Sequence, residues 1–114
     1  MPHIVVEYVE SALGEQELKT VLRHIHDAVS SSGLFEVSHI RTRAYPFSEF
    51  TNGIEGGPYI HVQARIKSGR DADNKKRLAE TILVSVSALS LPVSVITVEI
   101  VDMDRDSYSK WNRT

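Results

Sequence analysis

Pro2 is the residue with the clearest capacity for chemistry, because it directly follows Met1. A small second residue permits removal of the initiating methionine, and Pro2 would then carry a free secondary amine. An α-amino group titrates at about 7.7–8.0, so it is a base within reach of working pH. An internal proline such as Pro58 has no such nitrogen. Taken alone, a proline at position 2 is more often a plain chain start than a base, and geometry must decide. Arg41, Arg43, Arg65 and Arg70 are the residues suited to serve it. Their planar guanidinium forks match carboxylates bidentately. His24 and His26 make a poor metal pair, because two residues apart on a helix they point in different directions. Trp111, a lone tryptophan in a polar tail, suggests docking on this chain or a neighbour, with a loose tail the equal alternative.

These residues need elements to position them. Residues 3–9 alternate as a strand, with Ile4, Val6 and Tyr8 on one face and His3, Val5, Glu7 and Val9 on the other. Glu15 to Ser31 reads as a helix with Leu18, Leu22, Ile25 and Val29 along one stripe, closed by Gly33. Ser38 to Pro46 is a second strand that sends His39, Arg41 and Arg43 to one face. Two arginines there require carboxylates, solvent or an anionic ligand. Residues 47–57, with Asn52-Gly53 and Gly56-Gly57, form a loop long enough to be a lid or site wall, or a plain surface connection. Pro58 to Lys67 is a third strand. Asp71 caps a second helix that runs to about Ser90, with Leu78, Ile82, Val86 and Leu89 as its stripe, broadened by Leu83. Val93 to Asp102 is a fourth strand, and residues 103–114 form a polar tail.

The length of 114 residues fits one domain, 1–114. A hydrophobic content of 41% permits a core. A net charge of −2 gives no electrostatic reason to expect nucleic acid. The absence of cysteine removes disulfides and thiolate chemistry and is compatible with a cytoplasmic location. The start lacks the pattern of a signal peptide, and no apolar run approaches the roughly 18 residues of a membrane span. No metal or organic cofactor is expected.

The chain repeats itself. Pro2-His3-Ile4-Val5-Val6 is matched by Pro58-Tyr59-Ile60-His61-Val62, and Ser38-His39-Ile40 by Ser94-Val95-Ile96 at the same offset. Two βαβ units, about 1–46 and 58–102, predict an α+β fold: a four-stranded mixed sheet with both helices on one face. The other face would carry His3, Glu7, the arginines, His61 and Glu99 among its alternating positions. It is too polar for a core and is expected to be covered by other subunits, unless it faces solvent in a monomer.

Met1-Pro2 leading into a strand, tandem βαβ units and strand arginines together resemble the tautomerase superfamily. Within it the chain resembles the 5-carboxymethyl-2-hydroxymuconate delta-isomerase family over nearly its whole length. The matching pieces are Pro2-His3 with Glu7-Tyr8, Gly33-Leu34-Phe35, Ile40-Arg41-Thr42-Arg43, Gly69-Arg70, and Tyr108, Lys110 and Asn112 in the tail. Gly69-Arg70-Asp71 followed by Asn74-Lys75 is also similar to the helix entry of 4-oxalocrotonate tautomerase.

This resemblance implies a cofactor-independent isomerase in a homotrimer, with the N-terminal proline as acid–base and a small carboxylated dienol from aromatic catabolism as substrate. It implies Pro2, Arg41 and Arg70 as catalytic residues, with Arg43, Arg65 and Trp111 in substrate binding. Aligned by the repeat, Gly14 stands where Arg70 would fall in the first half, and Thr97 stands where Arg41 would fall in the second. One site per chain follows, with Arg70 open to donation by a neighbour. Hydratase or dehalogenase chemistry on the same scaffold is the nearest alternative. A catalytically silent domain that binds an anionic metabolite through Arg41, Arg43 and Arg65 is the other.

Overall fold

The computed structural model describes residues 1–113. Its regular elements are β1 (His3–Val9), α1 (Glu15–Ser31), β2 (Arg41–Phe47), β3 (Tyr59–Lys67), α2 (Ala72–Ser87) and β4 (Val95–Met103), with short 3-10 turns between some of them. The sheet order is β2-β1-β3-β4. β1 pairs with β2 in parallel, β3 with β4 in parallel, and β1 with β3 antiparallel. This is the mixed sheet that two joined βαβ units produce.

Alternation decides what is buried. Ile4, Val6, Ile60, Val62, Ala64 and Ile66 are fully buried against Val21, Ile25 and Val29 of α1 and Leu78, Ile82 and Val86 of α2. Each such aliphatic side chain contributes roughly 1.5–3 kcal/mol by leaving water. Because β1 and β3 lie in the middle of the sheet, the start of β1 is fixed from both sides.

Several boundaries differ from the sequence expectation. Val37–His39 forms a 3-10 turn, so His39 leaves the sheet face and β2 begins at Arg41. The α1 stripe centres on Val21, Ile25, Ala28 and Val29, with Leu18 and Leu22 packed at its margin. Leu83 is exposed and does not broaden the α2 stripe. α2 ends at Ser87, three residues early, and Ser90 turns the chain with φ 53°. At the two helix ends read from sequence, Asp71 accepts a hydrogen bond from Asn74 N as N-cap, and Gly33 follows α1 with φ 73°.

The loop after β2 lies at the far end of β1 from Pro2, because Val9 pairs with Phe47. It is pinned there by Phe47, Phe50 and Tyr59, whose rings stand 5.4–6.1 Å apart. No residue of this loop lines the cavity at the chain start.

Candidate active site at the chain start

Pro2 is fully buried, and its carbonyl accepts a hydrogen bond from Arg41 N at 3.0 Å. In the second half Pro58 O accepts instead from Ser94 N, at 2.8 Å, one residue before the start of β4. The chain start is therefore held by the sheet. In the chain as it stands, the nitrogen of Pro2 belongs to the Met1–Pro2 peptide bond and the free amine is that of Met1. Burial holds this amine below its ordinary titration range, and the charges of Lys67, Lys110, Arg41 and Arg105 add to the effect.

Met1 lines a cavity of about 260 Å³. Leu34 and Phe35 supply apolar wall, and Lys67, Arg70 and Arg105 supply positive charge. Glu36 and His39 stand at the same cavity, 3.4 Å from each other. Arg70 is aimed by two contacts: its Nη2 donates to Leu34 O at 2.5 Å, and its guanidinium lies 5.4 Å from the Phe35 ring centroid.

The other anticipated arginines lie elsewhere. Arg41 and Arg43 line a separate, larger groove of about 700 Å³ between the β2 edge and α1, with Lys19, Arg23 and His26. Arg41 donates to Ser38 O at 2.8 Å. Arg43 donates from Nε to the Tyr45 hydroxyl and from Nη1 to His3 Nδ1, both at 3.1 Å. Arg65 is half-buried on the outer sheet face. Trp111 is 77% exposed, with Arg113 5.7 Å from its ring centroid, and does not reach the cavity. Among the described residues no arginine pairs with a carboxylate; Glu99 instead meets His61 at 2.5 Å.

Register also corrects the comparison of the two halves. His3 pairs with Arg41 and Tyr59 with Val95, so Val95, not Thr97, occupies the position of Arg41. The helix caps are Gly14 and Asp71, so buried Leu13, not Gly14, occupies the position of Arg70. Each half still lacks the arginine of the other.

Sequence reasoning missed His3, Lys67, Arg105 and Tyr108 as parts of this region. Pairing sets His3 between Arg41 and Arg65 across the sheet. A third cation in that row would repel its neighbours. Burial, then Arg43, the amine, Arg41 and Arg65 all lower the His3 pKa, which favours the neutral ring. The guanidinium of Arg43 can only donate, so His3 Nδ1 accepts and its Nε2 carries the proton to the Tyr108 hydroxyl, 2.9 Å away. The alternation of β3 continues through Arg65 to Lys67 and was the available signal for that residue. Nothing in the sequence pattern marked Arg105.

A buried proline at the start of a central strand, two βαβ units and cations gathered at that start define a tautomerase-type scaffold. The chain belongs to the 5-carboxymethyl-2-hydroxymuconate isomerase family, whose model matches residues 2–112. A search of curated proteins finds no match. Among solved structures, the chain is similar to a 5-carboxymethyl-2-hydroxymuconate isomerase from Deinococcus radiodurans R1, with 21% identity, a TM-score of 0.81 and coverage of 98% of this chain and 90% of that one. It is similar to a fused 4-OT symmetric trimer, with 19% identity, a TM-score of 0.80 and coverage of 96% and 92%. It is also similar to a member of the cis-3-chloroacrylic acid dehalogenase family, with 17% identity, a TM-score of 0.81 and coverage of 97% and 81%. At these identities the likeness shows the fold. Among the described residues no helix is long and apolar enough to cross a membrane.

Proposed function

We propose that this chain, after loss of Met1, isomerises a carboxylated dienol of the 5-carboxymethyl-2-hydroxymuconate type to its enone. The observation that carries the reading is the gathering of Lys67, Arg70 and Arg105 around the chain start, beside a proline fixed by the sheet. The Pro2 nitrogen, uncharged, takes the proton of the 2-hydroxyl. The oxygen electron pair forms the carbonyl, the conjugated double bonds shift, and a carbon further along takes the proton back from Pro2. Cations near the amine keep it unprotonated and ready to act. The same cations steady negative charge on the oxygen as it develops.

Membership of an isomerase family favours this reading over hydratase or dehalogenase chemistry, which the fold also supports. A homotrimer is part of the proposal. The outer sheet face carries Arg41, Arg43 and Arg65 towards the Pro2 end, with Glu99 level with Arg43 and Glu7 one row further along, so both signs of charge are available for association between copies. Ultraviolet absorbance of 5-carboxymethyl-2-hydroxymuconate, followed with protein shown by intact mass to lack Met1, tests the activity. Acceleration well above buffer is expected. No acceleration, with chloride release from a chloroacrylate, would replace the reading with the dehalogenase one.

A further inference from the structure

The loop between β2 and β3 presents an apolar residue that its own chain leaves bare: Ile54 is 100% exposed. A lone exposed isoleucine is ordinary, but this one is held out by a built turn. Gly56 N donates to Asn52 O at 2.8 Å and closes the turn over residues 53–55. Asn52 Nδ2 donates to Gly57 O at 2.9 Å and to Ser94 Oγ at 3.3 Å, which ties the turn to the start of β4. Gly53 has φ 62°, and a Cβ at Gly56 would stand 2.2 Å from Asn52 O, so neither position accepts a side chain without strain. The rings of Phe47, Phe50 and Tyr59 fix the base of the loop. Its charged residues, Glu49 and Glu55, are both acidic and both exposed. A tip held in this way loses little conformational freedom on binding.

A surface of complementary character lies at the other end of β2. The groove of about 700 Å³ between β2 and α1 combines apolar Leu22 and Ile40 with Lys19, Arg23, Arg41 and Arg43. Lys19 pairs with Glu15 on its own helix, but Arg23, Arg41 and Arg43 have no carboxylate partner among the described residues. β2 is an edge of the sheet, so its outer side has no neighbouring strand and needs cover. The loop leaves β2 at Phe47, whereas the groove is built on residues 40–43. Every copy therefore carries both an acidic, apolar tip and a basic, apolar groove, at opposite ends of one strand. Two different patches that match each other make a head-to-tail contact, the kind that closes into a ring.

We propose that the 48–57 loop of one copy seats in the β2–α1 groove of the next, with Ile54 against Leu22 and Ile40 and Glu55 against Arg23. The contact rests on the association between copies proposed above and places part of it at the sheet edge. Sedimentation velocity of the full chain over a dilution series tests it. Wild type is expected to be a trimer that dissociates at a measurable midpoint concentration. Ile54→Asp should raise that midpoint about tenfold or more. Its circular dichroism should not change, because Ile54 is bare in its own chain. Glu55→Arg and Arg23→Glu should each raise the midpoint severalfold, and the double variant should recover most of the loss, because the pair is restored with its signs exchanged. A merely structural role for Arg23 would give no such recovery. A trimer whose midpoint ignores Ile54→Asp, or a double variant without recovery, would overturn the inference and leave the trimer standing. An open series of sizes that responds to the same variants would keep the contact and overturn the trimer. A monomeric wild type would overturn both and leave the groove to another ligand, with the isomerase reading still decided by turnover.

Discussion

His3 Nε2 and the Tyr108 hydroxyl, 105 residues apart in sequence, meet at 2.9 Å. The contact fastens the tail to the strand that begins beside Pro2, and it sits within a longer series. Arg43 donates to the other nitrogen of His3, and Lys67 lies over the Tyr108 ring. One end of the series is in the β2 groove and the other is in the Met1 cavity.

Tyr108→Phe separates the two roles of the tyrosine. It removes the hydroxyl that His3 needs but keeps the ring beneath Lys67. The loss should be about 0.5–1.5 kcal/mol of stability, the usual net worth of one hydrogen bond. Affinity for glutarate, used as a small carboxylate probe of the cavity lined by Lys67, Arg70 and Arg105, should change less than twofold. Tyr108→Ala should also free Lys67 and weaken glutarate binding severalfold. Urea unfolding midpoints and isothermal titration check both, and equal binding losses in the two variants would remove the ring from the argument.

Neutral His3 predicts a pH dependence of stability. Its folded pKa is lowered by burial and by Arg43, the chain-start amine, Arg41 and Arg65. Below about 6.5, the ordinary value, the unfolded chain binds a proton that the folded chain resists. The contribution of His3 is therefore present above pH 6.5 and is lost as pH falls through its depressed folded value. The amine, lowered in the same sense, adds a similar slope that begins nearer pH 8. Urea midpoints measured from pH 8 to pH 5 should fall, and His3→Asn should flatten the part below 6.5. A midpoint that rises on acidification would show that His3 is charged in the fold.

The fold was largely legible in the sequence because alternation and repetition are local and regular. Ile4, Val6, Ile60 and Val62 announce a buried sheet face by spacing alone. The site was legible only in part. Arg70 follows from the helix entry, but Arg105 reaches the cavity through contacts to Ser68, a pairing between distant segments that no spacing encodes. Trp111 marked the tail as a docking segment, yet it is Tyr108 that docks on this chain, since its hydroxyl is within reach of His3. The assignment of Thr97 and Gly14 as counterparts failed because strand register and helix caps, not the offset of the repeat, decide equivalence.

Asp71 links local capping to the site. Its carboxylate accepts from Asn74 N at 2.8 Å, and the neighbouring residue is Arg70. Asp71→Ala should reduce stability by about 1 kcal/mol through loss of the cap. If α2 frays at this end, Arg70 loses its fixed approach to Leu34 O, so glutarate binding should weaken in the same variant. Asp71→Ser retains a capping oxygen and should recover both. Recovery of stability without recovery of binding would show that the cap does not position Arg70.

Met1 decides whether Pro2 can act. While Met1 is attached, the nitrogen of Pro2 is an amide, and the Met1 amine lies a residue away from the point the sheet fixes. A positioned general base contributes typically 10²–10⁴-fold. Separating Met1-bearing from Met1-free protein by intact mass should therefore reveal a kcat difference of that order, with a smaller change in KM. Arg41 bears on the chain start, since its N donates to Pro2 O and its charge is among those that lower the pKa of the Met1 amine. Arg41→Ala should move the acid limb of the pH–rate profile of the Met1-free enzyme to higher pH, because less positive charge then opposes protonation. Pro2→Ala supplies a primary amine at the same place and should retain part of the activity. Equal rates for Met1-bearing and Met1-free protein would remove Pro2 from the mechanism, and the catalytic base would then have to be sought among the other groups at the cavity, beginning with Glu36.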